Sequence, residues 1–171
     1  MGEPKRPEGA GECPGAEEVE LLRRWRTVDS GFRRITDLLL ADAHDEVGLP
    51  PSSLQVVCFL AESPEQAAPM RELSELLGFS TAGITGVVDR LVDAGLVERR
   101  PSRTDRRVTF AALTVLGRET AVAAVGVLAE AVRRRIVKPL GGDGFAALEA
   151  TVGSLGVVGE PLAGCPGPAA H

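Results

Sequence analysis

The segment of residues 70–95 constrains the fold of this chain more than any other part. The leucines of residues 70–77 have helical spacing, and Gly78 then marks a tight turn. Ser80 is a favourable N-cap for a second helix, predicted over residues 81–94, and Gly95 stands where glycine commonly ends a helix. Two short helices joined by a turn that contains glycine are typical of a helix-turn-helix motif.

A basic turn between two strand-like runs comes directly after the second helix. The runs cover residues 96–100 and 107–113, and residues 99–107 contain five arginines and one aspartate. This order of elements predicts a β-hairpin wing beside the helix-turn-helix. The expected fold class is therefore mainly α with a small β-wing, in which N- and C-terminal dimerisation helices flank a winged helix-turn-helix domain.

A long amphipathic helix is predicted ahead of this motif, at residues 17–43. Its apolar residues recur in steps of 4, 3, 4, 3 and 4, which is the spacing of a coiled-coil seam. Such a stripe needs an extended apolar partner, which either the core of a monomeric bundle or a dimer interface provides. The stripe consists of Leu21, Trp25, Val28, Phe32, Ile35 and Leu39.

Further helices are predicted at residues 52–61, 114–137 and 144–157 from the same kind of spacing. A segment rich in proline and glycine, residues 139–142, is expected to end the second of these helices. Residues 63–69 contain two prolines and a serine and are expected to form a loop.

The two ends of the chain differ in composition from its middle. Residues 1–16 and 159–171 are dominated by Gly, Pro and Ala, cannot bury an apolar face and are expected to be disordered tails. The domain between them is expected to span residues 17–158. Its predicted parts are dimerisation helices at about 17–46 and 115–158 and the winged helix-turn-helix at about 50–113.

Composition excludes several classes of protein. No apolar run approaches the roughly 18 residues that cross a bilayer, and the N-terminus lacks the features of a signal peptide, so a cytoplasmic protein with no membrane partner is expected. Three cysteines without a CxxC pair, and two histidines, predict neither a disulfide framework nor a metal site. No phosphate loop or nucleophile elbow is present, so we expect no cofactor and no enzymatic activity.

The charge distribution carries more information than the net charge. A net charge of −5 alone disfavours nucleic acid as a partner, because phosphates repel a uniformly acidic surface. The acidic residues, however, concentrate between residues 3 and 20 and between residues 37 and 46, whereas arginines concentrate in the turn at 99–107. A local cationic patch that contacts double-stranded DNA is therefore expected.

The helix at residues 81–94 is predicted to have an inward and an outward face. Ile84, Val88 and Leu91 fall on the inward face, and Val92 lies beside them. Small residues near the start of the outward face would let the backbone approach base edges in the major groove, so the glycines are interpreted as favouring DNA contact over helix packing. The DNA-binding residues predicted on this helix are Ser80, Thr81, Ala82, Gly83, Thr85, Gly86 and Arg90.

The tip of the wing provides the second set of predicted DNA contacts, namely Arg103, Arg106 and Arg107. A guanidinium group is a rigid fork of donors that stays charged, so it suits both the minor groove and its flanking phosphates. Asp105 is expected to hold an arginine in one rotamer. A solvated charged turn is the alternative, but this run comes after a helix-turn-helix at the place expected of a wing.

Three segments between Leu49 and Glu119 carry a family resemblance: LSELLGFSTAGITGVVDRLVDAGLVERR, TDRR and ALTVLGRE. They resemble the DNA-binding half of MarR-type regulators. The resemblance implies an obligate homodimer with interlocked terminal helices, a recognition helix at residues 80–94, and Arg106 as a wing arginine oriented by Asp105. It also implies a pseudopalindromic operator and, commonly, a small-molecule or oxidant signal. Many members carry a basic residue at the position of Gly86, so the operator sequence stays open.

The leading interpretation is a sequence-specific transcriptional regulator, a ligand-responsive repressor that binds its operator as a homodimer. One alternative is a redox-responsive regulator of the same fold that acts through Cys58 or Cys13. Cys58 lies in an apolar run, however, and is expected to be structural. The other alternative is a winged helix that contacts proteins and does not bind DNA.

The first helix borders a ligand cleft in the family that this chain resembles. Trp25, Asp29 and Arg33 are accordingly the candidate lining of a pocket for a small-molecule effector. The spacing of the stripe favours the other interpretation, in which Trp25 belongs to the core of an interface.

Overall fold

The computed structural model describes residues 15–102, 105 and 107–155 of the chain. Nearly all of the two predicted tails, and the wing residues Arg103 and Arg106, lie outside these ranges. The chain divides into two compact units, Met1–Asp37 and Leu38–His171.

The described part of the first unit consists of most of helix α1, Ala16–Val47. The helix runs four residues past the predicted end at residue 43. Glu17 and Glu18 occupy its first turn, where the helix dipole favours negative charge. In this unit Leu21, Trp25, Val28 and Phe32 are 66, 59, 47 and 45% exposed. Four of the six residues of the predicted apolar stripe therefore face solvent in the single chain, whereas Ile35 and Leu39 are half-buried.

The second unit contains the remaining elements. Its helices are α2 (Pro51–Glu62), α3 (Met70–Leu77), α4 (Thr81–Asp93), α5 (Val115–Val132) and α6 (Lys138–Ser154). Its strands are β1 (Ala67–Pro69), β2 (Val97–Pro101) and β3 (Thr109–Leu113). The fold is mainly α with a small antiparallel sheet, as predicted from the sequence.

The sheet has the strand order β1-β3-β2, and both strand pairs are antiparallel. In β3, Ala111 lies opposite Ala68 of β1 on one side and opposite Arg99 of β2 on the other. The prediction of a loop over residues 63–69 was wrong for β1. Three residues that end in proline have no strand pattern of their own, and their pairing depends on β3 far along the chain. Proline is tolerated there because β1 is an edge strand.

A leucine- and valine-rich core lies between α2, α3, α4 and the sheet. Leu60, Leu73, Val88 and Leu91 are buried in it, and each such side chain contributes roughly 1.5–3 kcal/mol relative to an exposed one. Ile84, Val88 and Leu91 occupy the inward face of α4, as predicted. The placement of Val92 beside this inward face was wrong, because its side chain is exposed.

The chain stays helical from α5 past Pro139 and breaks at Gly141, within the segment 139–142 where the break was predicted. A π-helical segment, Arg133–Val137, joins the two helices, and Pro139 lies in the first turn of α6. Gly141 has a φ of 73° and a ψ of 165°, which lie outside the helical region and divide α6 into two helical parts. The part of α6 that follows Gly141 corresponds to the last helix predicted from residue 144.

An ion-pair cluster fixes the end of α1 to this π-helical segment inside the second unit. Arg135 donates from Nε and Nη2 to the two carboxylate oxygens of Asp42, each at 2.7 Å, and Nη2 of Arg134 donates to the same carboxylate at 2.7 Å. These hydrogen bonds, that of Arg135 first, lower the pKa of Asp42 from 3.8 to about 2. Asp42 is therefore ionised at any physiological pH.

Candidate nucleic-acid interface

The turn between α3 and α4 is built by three side-chain and backbone features. Gly78 adopts a left-handed conformation (φ 69°), which ends α3. The Ser74 hydroxyl donates to the carbonyl oxygen of Phe79 at 2.7 Å, and the Ser80 hydroxyl accepts from the backbone N–H of Gly83 at 3.0 Å. The direction in which α4 leaves the turn is thus fixed by local contacts, of which the Gly78 turn and the Ser80 cap were predicted from the sequence.

The outward face of α4 presents the small and hydroxyl-bearing residues named from the sequence. Thr81, Ala82, Gly83 and Arg90 are exposed, and Thr85 and Gly86 are half-buried. The Thr85 hydroxyl already donates to the carbonyl oxygen of Thr81 at 2.8 Å. Its proton is therefore engaged, which leaves an acceptor oxygen and a methyl group available to a ligand.

The two glycines of α4 have different surroundings. A Cβ added at Gly86 would meet only Nη1 of Arg90, at 3.8 Å, which is the end of a flexible side chain. A Cβ added at Gly83 would lie 3.1 Å from the capping oxygen of Ser80. The close contact with the Ser80 cap thus explains why glycine fits at position 83. No comparable contact within the chain explains the glycine at position 86.

Asp105 organises the backbone of the wing turn. Its Oδ1 accepts from the backbone N–H of Arg107 at 2.9 Å, and its own N–H donates to the Ser102 hydroxyl at 3.2 Å. The N–H of Val108 in turn donates to the carbonyl oxygen of Asp105 at 3.0 Å. Asp105 acts on the main chain in the described part of the turn. The role foreseen for it toward Arg106 stays a prediction, since that residue lies outside the described ranges.

A cleft of about 390 Å³ lies between α4, the start of α3 and the wing. It brings together Thr85 and Arg107, two of the residues predicted from the sequence. A second cleft, of about 430 Å³, lies between α3 and α4 and shares Thr85 with the first. The two clefts therefore flank the outward face of α4.

Arg99 and Arg71 also line the cleft beside the wing, and the sequence interpretation did not select either of them. Arg99 of β2 donates through Nη2 to Oδ1 of Asp89 in α4 at 2.7 Å, which links the wing to the helix. Alternation along a strand was the signal that could have identified Arg99, because it separates the directions of Arg99 and Arg100. Arg71 is exposed on α3 and pairs with Glu75 at 2.6 Å.

Cys58 is buried in α2, in a small cluster with Ala43, Leu54 and Ala124. Burial, with a further contribution from the negative charge of Glu62, raises the pKa of its thiol from 9.0 to about 11. A reactive cysteine needs the opposite shift, toward thiolate. The structural role predicted for Cys58 agrees with this setting. Cys13 lies outside the described residues.

The candidate effector residues lie on the exposed surface of α1. Trp25 is exposed, and Arg33 donates from Nε to Oδ1 of Asp29 at 3.2 Å, as an i,i+4 pair on one helix. A shallow groove of about 330 Å³ on the same unit includes none of the three. Its lining is Glu18, Val19, Leu22, Arg23 and Arg26. A pocket formed by Trp25, Asp29 and Arg33 remains a prediction.

The part of the chain that the structure describes contains neither a membrane-spanning helix nor a cluster of metal-ligating side chains. None of its helices is both long and apolar enough to cross a membrane. It also contains no group of three or more His, Cys, Asp or Glu side chains arranged to hold a metal ion.

Comparisons with known proteins agree with this geometry. A sequence model described as the MarR family matches residues 47–108, from the end of α1 into the wing. The curated regulator MhqR of Bacillus subtilis (strain 168), an HTH-type transcriptional regulator, is 32% identical over 96 residues. That match covers 56% of this chain and 64% of the length of MhqR.

Solved structures are similar to this chain in fold over most of its length. Sco3205, a MarR family transcriptional regulator from Streptomyces coelicolor in complex with DNA, has a TM-score of 0.70 and 25% identity, over 84% of this chain and 92% of its own. The transcriptional repressor CouR, bound to a 23-mer DNA duplex, has a TM-score of 0.67 and 26% identity, over 85% of this chain and 99% of its own. In sequence over residues 47–108, and in its helix-turn-helix and wing, the chain is thus similar to regulators of the MarR family.

Proposed function

We propose that this protein is a sequence-specific transcriptional regulator that binds double-stranded DNA through α4 and the wing. The observation that carries the proposal is the outward face of α4, where small and hydroxyl-bearing residues lie beside a cleft lined by Arg71, Arg99 and Arg107. A helix of this kind fits the major groove, and a basic hairpin beside it reaches the backbone or the minor groove. Sco3205 and CouR, both similar in fold, were solved with DNA.

Each predicted residue has a role in this proposal. The surface of α4 would approach the base edges, with Gly86 allowing close contact and the methyl group of Thr85 available to a thymine methyl. The wing would neutralise phosphates or enter the minor groove. The α4 set is Ser80, Thr81, Ala82, Gly83, Thr85, Gly86 and Arg90, and the wing set is Arg103, Arg106 and Arg107, with Asp105 holding the turn.

We also propose that the protein acts as a homodimer on a pseudopalindromic operator. The exposed stripe of α1 supports this, because an apolar face of that length in a single chain needs a partner. A two-fold dimer presents two recognition helices, and its operator has matching half-sites. Repression, release by a small-molecule effector and a cytoplasmic location belong to the same proposal.

The alternatives find less support in the structure. A redox switch at Cys58 would need an accessible thiolate, whereas this thiol is buried and its pKa is raised to about 11. A winged helix that only contacts proteins would not need Arg71, Arg99 and Arg107 grouped in one cleft beside the recognition helix.

Selection of bound duplexes from a random DNA library tests the proposed function. The full chain should enrich a pseudopalindrome, and titration of the enriched site should show an affinity that falls steeply with salt. A scrambled duplex of the same length and composition is the control. Failure to enrich any sequence, together with equal binding to the scrambled duplex, would contradict sequence-specific recognition.

A further inference from the structure

The ion pair Arg71–Glu75 on α3 is arranged against the preferences of its own helix. Arg71 lies in the first turn and Glu75 four residues later, whereas an isolated helix favours an anion near its N-terminus and a cation near its C-terminus. In i,i+4 pairs the order with the acid first is likewise the better one. The stability of α3 therefore does not explain why these two charges stand in this order.

Both side chains of the pair are open to solvent, with exposures of 87% for Arg71 and 60% for Glu75. An ion pair so exposed contributes little to stability and exchanges partners readily. The guanidinium of Arg71 is thus held by Glu75 only weakly, although its Nε lies 2.6 Å from the carboxylate.

Arg71 stands beside the proposed recognition surface. It lines both clefts that flank Thr85, the one between α3 and α4 and the one beside the wing. In a helix-turn-helix the first helix crosses the DNA backbone while the second enters the major groove. An exposed arginine at the start of α3 would therefore lie close to the DNA phosphates when α4 faces the bases.

We propose that Arg71 binds a DNA phosphate and that Glu75 competes with the phosphate for its guanidinium. This inference rests on the proposed function. A phosphate offers the guanidinium paired, charge-assisted hydrogen bonds, and it displaces the carboxylate when the duplex docks. The released Glu75 then lies close to the backbone and is repelled by it. The pair accordingly lowers the affinity for all DNA sequences alike. Tight binding then requires the additional binding free energy of specific base contacts.

The test compares full-length R71Q, E75Q and the double variant with the wild type, on the selected operator and on scrambled DNA at several salt concentrations. R71Q should weaken binding to both duplexes by a similar factor and make the log–log salt slope shallower by roughly 2 per dimer, one phosphate contact being lost in each protomer. E75Q should tighten binding to both duplexes, and this gain should shrink in the R71Q background.

The matched control is R133Q, which removes an arginine paired with Glu130 at 3.2 Å on another part of the chain. It changes the net charge equally and should leave the salt slope close to that of the wild type. Thermal unfolding midpoints of R71Q and E75Q should stay near the wild-type value, which excludes loss of folded protein as the cause.

Two results would overturn the inference while leaving the proposed function intact. One is that R71Q binds the operator with the same log–log salt slope as the wild type. The other is an equal gain from E75Q with and without Arg71, which would mean that Glu75 acts only as a nearby negative charge. If the wild type itself failed to discriminate the operator from scrambled DNA, the proposed function would be at fault instead.

Discussion

At the scale of single residues, the chemistry left available on α4 determines what this surface can recognise. The Thr85 hydroxyl donates its hydrogen bond to the carbonyl oxygen of Thr81. Recognition by Thr85 therefore depends on its methyl group and on an oxygen that accepts hydrogen bonds. This makes the methyl the stronger candidate for reading a base, because thymine presents a methyl group in the major groove.

We predict that Thr85→Val retains the operator preference better than Thr85→Ser. Valine keeps a methyl group at the position of the threonine methyl, whereas serine keeps only the hydroxyl. Loss of the contact should reduce discrimination at one position of each half-site by about 1–3 kcal/mol. Titration against operators with single base-pair changes measures this. A serine variant with wild-type discrimination would show that the oxygen, and not the methyl, reads the base.

A substitution at Gly86 is predicted to change the free energy of unfolding and the affinity for DNA in opposite directions. An added Cβ meets only the tip of Arg90, so Gly86→Ala should raise the unfolding free energy by up to about 1 kcal/mol. The same methyl group stands on the face proposed to approach DNA, so operator affinity should fall. Chemical denaturation and DNA titration of one preparation measure both quantities. An alanine variant that is more stable and binds normally would rule out close approach at this position.

Gly83→Ala is the matched control for that experiment. Its Cβ would press on the capping oxygen of Ser80 at 3.1 Å, so the gain in stability should be smaller than at position 86. The comparison separates the helix propensity of alanine from its local fit.

At the scale of elements, the sequence predicted those features that depend on contacts between residues close together in the chain. The turn between α3 and α4 was predicted because Gly78 and Ser80 act on their immediate neighbours. Strand β1 was not predicted, because its pairing partner lies in β3, far along the chain. The same holds for Arg99, whose partner Asp89 stands on another element. The roles of individual residues toward DNA stay predictions.

The join between α1 and the π-helical segment depends on Asp42. Asp42→Asn should lower the free energy of unfolding, because Arg134 and Arg135 lose a charged acceptor. The folded pKa of Asp42 is about 2, below the usual value near 3.9 of an unfolded chain. Its contribution is therefore fully present above the unfolded pKa and is lost as the pH falls through the folded one.

Denaturant titrations of wild type and Asp42→Asn between pH 7 and pH 2 measure this dependence. The difference between the two proteins should be constant from pH 7 to about pH 5 and should shrink below the unfolded pKa. Asp45→Asn, which changes an exposed carboxylate one helical turn away, should show a smaller difference throughout. An Asp42 difference that grew on acidification would contradict the ion-pair explanation.

At the scale of the whole molecule, assembly decides whether two recognition helices can act together. A single α4 contacts one half-site, and affinity for a palindrome comes from a dimer that positions two copies. The residues that would build this dimer are visible as the exposed stripe of α1. DNA binding and dimerisation are therefore coupled in the proposed function, and a variant that breaks the dimer should also lose the operator.

We predict that the wild type sediments at micromolar concentration with about twice its chain mass of 17.9 kDa. Trp25→Glu should shift it toward the monomer, because a charge would replace an aromatic side chain that buries roughly 150–250 Å² when covered. Ser30→Glu adds the same charge to the other side of the same exposed helix and should leave the mass unchanged. Operator affinity should fall for the Trp25 variant alone, with helical content by circular dichroism retained in both. A wild-type protein that sediments as a clean monomer would refute both the dimer and the palindromic operator.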